Sequence, residues 1–167
     1  NNGGQPAALA RLRARAWRPG IVGVNVGANK DAADRIADYV QGVQAMAPVA
    51  DYLTINISSP NTPGLRALQD EGALDALLAA VMAARADRTP IFLKVAPDLV
   101  ASDVDAIVRV AMAHRLDALI VSNTTIARPP LRSVHAGETG GLSGAPLKDL
   151  ALERLRDFRR ATGGALP

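Results

Sequence analysis

Cysteine is absent from the 167 residues, which excludes disulfide frameworks, thiolate metal sites and cysteine nucleophiles. Aromatic residues make up only 3%, so Ala, Val, Leu and Ile must fill the core, and little material is left for stacking nucleic-acid bases. Nucleic acid is therefore not an expected partner. Histidine occurs twice, as His114 and His135, and both read as surface residues. A Ser-His-Asp hydrolase finds little support, because no G-x-S-x-G motif surrounds Ser59. No apolar run approaches the roughly 18 residues needed to span a bilayer. Charge of one sign is also scarce: 19 basic against 16 acidic side chains leave a net charge of +3. Much of the excess lies in two arginine clusters, Arg11 to Arg18 and Arg154 to Arg160, which read as solvated helix faces or, less readily, as surfaces for acidic partners.

What is present is an ordinary globular composition, with 49% hydrophobic and 21% charged residues. Apolar, β-branched runs recur at Ile21–Val26, Tyr52–Ile57, Ile91–Ala96 and Ala118–Ser122, and each reads as a buried parallel strand. Helical spacing separates them: Ile36, Tyr39, Val40 and Val43; Leu74, Leu77, Leu78, Val81 and Met82; Val104, Ile107, Val108, Ala111 and Met112. Leu147, Leu150, Ala151, Leu155 and Phe158 suggest a last helix, and Ser102 with Asp105 resembles a capping pair. The predicted order is β-α-β-α-β-α-β-α, with right-handed crossovers. A doubly wound sheet and part of an eight-stranded (β/α)8 barrel both fit that order. No G-x-G-x-x-G follows the first strand and every strand ends in polar residues, so the barrel is favoured. A full barrel needs about 250 residues. The chain accordingly reads as a partial α/β barrel domain over 1–167, truncated at both ends, with roughly four βα units.

In such folds the site lies at the C-terminal ends of the strands. Those ends carry Asn25; Asn56 running into Ser58, Ser59, Pro60, Asn61 and Thr62; Lys94; and Ser122, Asn123, Thr124 and Thr125. A single such Asn is readily a structural amide, but four strand ends together point to one ligand-binding mouth. Lys94, between Leu93 and Val95, implies an anionic or electron-accepting ligand, a Schiff-base amine, or an interior ion pair. Asp51 and Asp117 open strands at the wrong end and only Asp98 lies just beyond one, so a metal site is not expected. The glycine-rich stretch Thr139–Gly144 reads as a turn or as backbone able to approach an anion.

Taken together, GVNVGANK (Gly23–Lys30), NISSPNTPGLRALQ (Asn56–Gln69), FLKVAPDL (Phe92–Leu99), VSNTT (Val121–Thr125) and GGLSGAPL (Gly140–Leu147) resemble the dihydroorotate dehydrogenase family. The quinone-dependent class 2 matches best, since class 1 enzymes carry Cys where this chain has Ser59. The resemblance implies a (β/α)8 barrel that binds FMN and oxidises dihydroorotate to orotate in pyrimidine synthesis, with a quinone as electron acceptor. It makes Ser59 the catalytic base that takes the C5 proton. Asn56, Asn61, Asn123 and Thr124 would bind substrate; Asn25, Asn56, Lys94, Ser122, Ser143 and Gly144 would bind FMN.

Two positions depart from the family's usual pattern: Ala28 stands where G-K-N-K is common, and Ser122 replaces a frequent Thr. The remaining flavin-phosphate loops are expected beyond Pro167 and a further substrate-binding Asn before Asn1. The resemblance also implies a cytoplasmic enzyme peripheral to the membrane, docked through a helical region outside these residues. This chain alone is expected to be inactive. A Lys94 Schiff-base aldolase or lyase, and a non-catalytic fragment, are the alternatives.

Overall fold

The computed structural model describes residues 3–62, 64–85 and 88–167. Helix α1 (Gly4–Arg15) precedes strand β1 (Gly23–Val26); then follow α2 (Arg35–Met46), β2 (Tyr52–Asn56), α3 (Glu71–Ala84), β3 (Ile91–Val95), α4 (Ala101–Ala113), β4 (Ala118–Val121) and α5 (Lys148–Ala161). The four strands form one parallel sheet in the order β1-β2-β3-β4. Strict sequential neighbours with an intervening helix are the βα-barrel pattern, and no strand order reverses as it would in a doubly wound sheet.

The expected alternation of strand and helix is present, with α1 added in front of it. Strand β1 starts later than its apolar run, because Asp51 occupies the backbone of Val22. The Asp51 carboxylate accepts the Val22 N–H at 2.6 Å, and the Asp51 N–H donates to the Val22 carbonyl at 2.8 Å. Asp117 does the same service two strands later, at the start of β3, accepting the Ile91 N–H at 2.8 Å. Both aspartates therefore finish the bottom of the sheet, where a barrel keeps its stability residues.

The starts of α2 and α3 are capped by carboxylates: Asp34 accepts from Ala37 N–H at 3.0 Å, and Asp70 from Gly72 and Ala73 N–H at 3.2 and 3.4 Å. Helix α4 departs from the expected Ser102–Asp105 pair. Its cap is Asp103, which accepts the Val100 N–H at 3.0 Å, because the helix begins at Ala101. Each such cap stabilises a helix by about 1 kcal/mol.

The core lies between the sheet and the helices that cross over it. Leu53, Ile55, Ile91, Leu93 and Val95 on the strands are fully buried against Val43, Leu74, Leu77, Leu78, Val81 and Ile107 on the helices. Burial of each such aliphatic side chain stabilises the fold by roughly 1.5–3 kcal/mol. Two stripes are narrower than their spacing indicates: Met112 on α4 and Leu155 on α5 are exposed, while Phe158 is buried. The basic cluster on α5 is not wholly solvated either. Arg154 is buried, with Asp157 at 2.8 Å and Glu153 at 3.6 Å.

Because side chains alternate along a strand, the residues between the core positions share the opposite face. The register sets Asn25, Thr54, Phe92 and Ala118 in one row, and Asn56, Lys94 and Ile120 in the next. Below them Tyr52 stacks on Phe92, with ring centroids 4.6 Å apart. After α5 the chain returns to the sheet, and the Leu119 N–H donates to the Pro167 carbonyl at 2.8 Å.

Candidate active site

Two of the four strand ends, those of β2 and β4, meet through side chains. The Asn56 carbonyl oxygen Oδ1 accepts the Ser58 hydroxyl at 2.9 Å and the Ser58 N–H at 3.2 Å; Asn123 Nδ2 donates to Ser58 Oγ at 3.1 Å. Asn123 Oδ1 in turn accepts the Thr124 N–H at 2.9 Å. Ser58, fully buried, is thus the link that ties Asn56 of β2 to Asn123 beyond β4. The next residue, Ser59, is half-buried, and its Oγ accepts the Asn61 N–H at 3.3 Å. No histidine or carboxylate hydrogen-bonds to Ser59 among the described residues. His114 pairs with Asp75 at 2.8 Å and His135 with Glu138 at 2.8 Å.

Beneath this network, Asn56 is set by its own backbone. The Tyr39 hydroxyl, fully buried, donates to the Asn56 carbonyl at 2.6 Å. Burial pushes the Tyr39 pKa up to about 12 despite the Ala28 backbone hydrogen bond, so the phenol stays protonated and donating at neutral pH.

Lys94 and Asn25 behave differently. Lys94 is half-buried on the strand face that carries Asn56, and among the described residues no hydrogen bond or ion pair reaches its ammonium group. The interior ion pair is therefore not what holds it. Asn25 is exposed one row away and its side-chain amide is likewise without a hydrogen bond among the described residues. Together they leave an ammonium and an amide directed at whatever lies over this face.

The loop after β4 folds back on the site. Thr125 and Leu142 exchange backbone hydrogen bonds of 3.0 and 2.8 Å, which bring the glycine stretch against Thr124. A Cβ on Gly141 would stand 1.9 Å from Thr124 Oγ1, so glycine is required there by close contact. Arg128 holds the loop shut, donating to the carbonyls of Glu138 at 3.0 Å and Gly140 at 2.6 Å. Ser122 Oγ donates to the Asn123 carbonyl at 3.2 Å. Ser143 and Gly144 stay exposed ahead of α5 and are not hydrogen-bonded to the other candidate residues.

A family model described as Dihydroorotate dehydrogenase matches residues 1–167. The chain belongs to the dihydroorotate dehydrogenase family. It is 65% identical over 173 residues to "Dihydroorotate dehydrogenase (quinone)" of Novosphingobium aromaticivorans, covering 100% of this chain and 50% of that relative. A relative of the same description from Erythrobacter litoralis is 69% identical over 168 residues, covering 100% of this chain and 49% of the relative. The crystal structure of DHODH from Eimeria tenella in complex with ferulenol superposes with a TM-score of 0.93 at 36% identity, over 99% of this chain and 52% of that one. The chain thus spans about half the length of the curated relatives it matches, and its four parallel βα units are a partial (β/α)8 barrel.

Within this dihydroorotate dehydrogenase barrel, sequence reasoning missed the ion pair behind the site. Arg66 Nη1 donates to Asp98 Oδ2 at 2.7 Å, its Nη2 to the Thr124 carbonyl at 3.1 Å and its Nε to the Ser58 carbonyl at 3.3 Å. Asp98 also accepts the Thr125 hydroxyl and, at 3.2 Å, the Ile126 N–H. The signal available was two opposite charges on the segments that follow adjacent strands, Arg66 after β2 and Asp98 after β3, and so on the side of the mouth.

Burial alone would raise the Asp98 pKa, but hydrogen bonds from Thr125, Arg66 and Ile126 and the Arg66 charge hold it below the ordinary carboxylate range. The unfolded chain takes up that proton near pH 4, the folded chain only at lower pH. The stability contributed by ionised Asp98 is accordingly complete above about pH 4 and is lost as pH falls through the lower folded value. Thermal melts of the chain between pH 6 and pH 2 should show a steep acid limb for wild type and a shallower one for Asp98→Asn. Identical limbs would refute this account.

Proposed function

We propose that residues 1–167 form part of the FMN-binding catalytic domain of a quinone-dependent dihydroorotate dehydrogenase, which oxidises (S)-dihydroorotate to orotate for UMP synthesis. The observation that carries this reading is the unpartnered Lys94 ammonium and Asn25 amide on the face beside the linked Asn56, Ser58 and Asn123. Such a face fits a flat, hydrogen-bonding ring system that gains negative charge, and the curated relatives carry the name Dihydroorotate dehydrogenase (quinone). When bound there, FMN supplies the acceptor for the hydride that dihydroorotate loses from C6.

The chain's own residues have distinct tasks in this proposal. Ser59 Oγ takes the proton from C5. A serine hydroxyl with no basic neighbour is a weak base, so it acts as the flanking C–H bond gives up its hydride and onward transfer proceeds by hydrogen-bond relay. The Asn61 N–H fixes the Ser59 oxygen while leaving its own proton free to move. Asn56, Asn61, Asn123 and Thr124 bind the substrate carboxylate and ring amides. Lys94 balances negative charge on the cofactor ring, Asn25, Asn56 and Ser122 hydrogen-bond around that ring, and Ser143 and Gly144 support the ribityl-phosphate side.

Peripheral docking on the cytoplasmic membrane belongs to the same proposal. Among the described residues no helix is long and apolar enough to cross a membrane. The Lys94 Schiff-base reading is not favoured, since the relatives are described as dehydrogenases. The test is anaerobic addition of dihydroorotate to the purified full-length chain that carries these residues. The expected result is a visible flavin band that bleaches with dihydroorotate and returns with a quinone. Absence of bound flavin, or a band that dihydroorotate leaves unchanged, would count against the proposal.

A further inference from the structure

We propose that Arg66 is a positioning residue that, together with the Asn123–Ser58 hydrogen bond, sets the Ser59 loop and the Asn123–Thr124 loop at a fixed separation. This inference rests on the dehydrogenase reading of the site. One planar guanidinium reaches three segments: the Ser58 carbonyl immediately before Ser59, the Thr124 carbonyl immediately after Asn123, and the Asp98 carboxylate beyond β3. Asp98 extends the same bracket to the Thr125 hydroxyl and the Ile126 N–H. The proposed base and the proposed substrate-binding amide thus hang from neighbouring points of one ion pair. Arg66 itself stands in the 3-10 turn Leu65–Gln69, which is fastened to β3 by Gln69 Oε1 accepting the Ala96 N–H at 2.9 Å.

Guanidinium geometry is what the task needs. A lysine ammonium is a compact point charge on a flexible stem and cannot hold three acceptors in one plane, whereas arginine offers five N–H donors in a rigid fork. Proton and hydride loss from adjacent atoms demands that base and substrate be placed together, and misplacement of about 1 Å costs on the order of a hundredfold in rate. Arg66 makes no contact that would require it to touch substrate, so its effect passes through Ser59 and Asn123.

The experiment uses the full-length holoenzyme carrying these residues, as wild type, Arg66→Lys and Arg66→Gln, with two readouts. The first is stopped-flow flavin reduction by dihydroorotate against flavin reoxidation by quinone. Arg66→Lys is expected to slow reduction by about a hundredfold, chiefly in its limiting rate, and to leave reoxidation unchanged. The second is amide hydrogen exchange, in which both loops, Ser58–Asn61 and Asn123–Ile126, should lose protection together. A folded Arg66→Lys enzyme with normal reduction, or one in which only one loop loosens, overturns the proposal. Failure of both variants to fold overturns it as well, since the role would then be structural. A wild-type enzyme whose flavin dihydroorotate does not reduce, but whose two loops still loosen together in Arg66→Lys, refutes the functional reading and leaves the bracket standing.

Discussion

Replacing Ser59 with alanine in the full-length enzyme is expected to slow flavin reduction by dihydroorotate by roughly 10²–10⁴-fold, the range that a positioned acid–base group contributes. In barrier terms that is roughly 3–5 kcal/mol. The loss should fall on the limiting rate and not on substrate affinity, because in the proposed site the substrate is gripped by Asn56, Asn61, Asn123 and Thr124. Among the described residues the Ser59 hydroxyl makes one hydrogen bond, from the Asn61 N–H at 3.3 Å, so its removal leaves the Asn56–Ser58–Asn123 network intact. Quinone reoxidation of the flavin should be unaffected. Ser59→Cys separates the base from the hydroxyl: a thiol titrates near pH 8.5, so the retained rate should climb toward that pH where the serine enzyme has no such step. A Ser59→Ala rate within a few-fold of wild type would remove Ser59 from the chemistry.

Much of this arrangement is legible in the sequence, and the boundary of legibility is physical. Leu53, Ile55, Leu93 and Val95 announce strands because β-branched and aliphatic runs are buried on both flanks, and the polar residues ending those runs mark the mouth. Periodicity stops where the strand stops. Ser58 and Ser59 stand next to each other beyond β2, and only the folded loop turns one into the buried link and leaves the other half-buried. The Arg66–Asp98 pair joins residues 32 apart through two loops, and no local pattern records such a contact. The Asp103 cap was missed for a smaller reason: α4 starts at Ala101, three residues before its apolar stripe begins at Val104, which places the N-cap at Val100 and not Ser102. Leu155 and Phe158 sit on the same predicted stripe, yet only the second is buried, since spacing gives a face and not the depth of its edges.

Gly141→Ala is expected to be the most damaging single methyl in the region. The new Cβ would meet Thr124 Oγ1 at 1.9 Å, Thr124 Cβ at 2.6 Å and Pro60 Cγ at 3.1 Å, so loop and strand end must part. Overpacking of this kind costs about 1–3 kcal/mol, a fall of several degrees in Tm. Function should suffer more than stability, because Thr124 is one of the proposed substrate contacts and its backbone carbonyl is one of the points that Arg66 holds. Gly137 supplies the control in the same loop, where an added Cβ meets nothing within 4 Å and Gly137→Ala should change neither property. The double variant Thr124→Ala with Gly141→Ala removes the nearest contact, the Thr124 hydroxyl, and should regain part of the lost Tm. It should not regain orotate affinity, since the hydroxyl whose removal relieves the clash is the one proposed to bind substrate. Orotate titration and thermal melts on the three variants read the two effects separately, and recovery of both together would show that Thr124 only fills space.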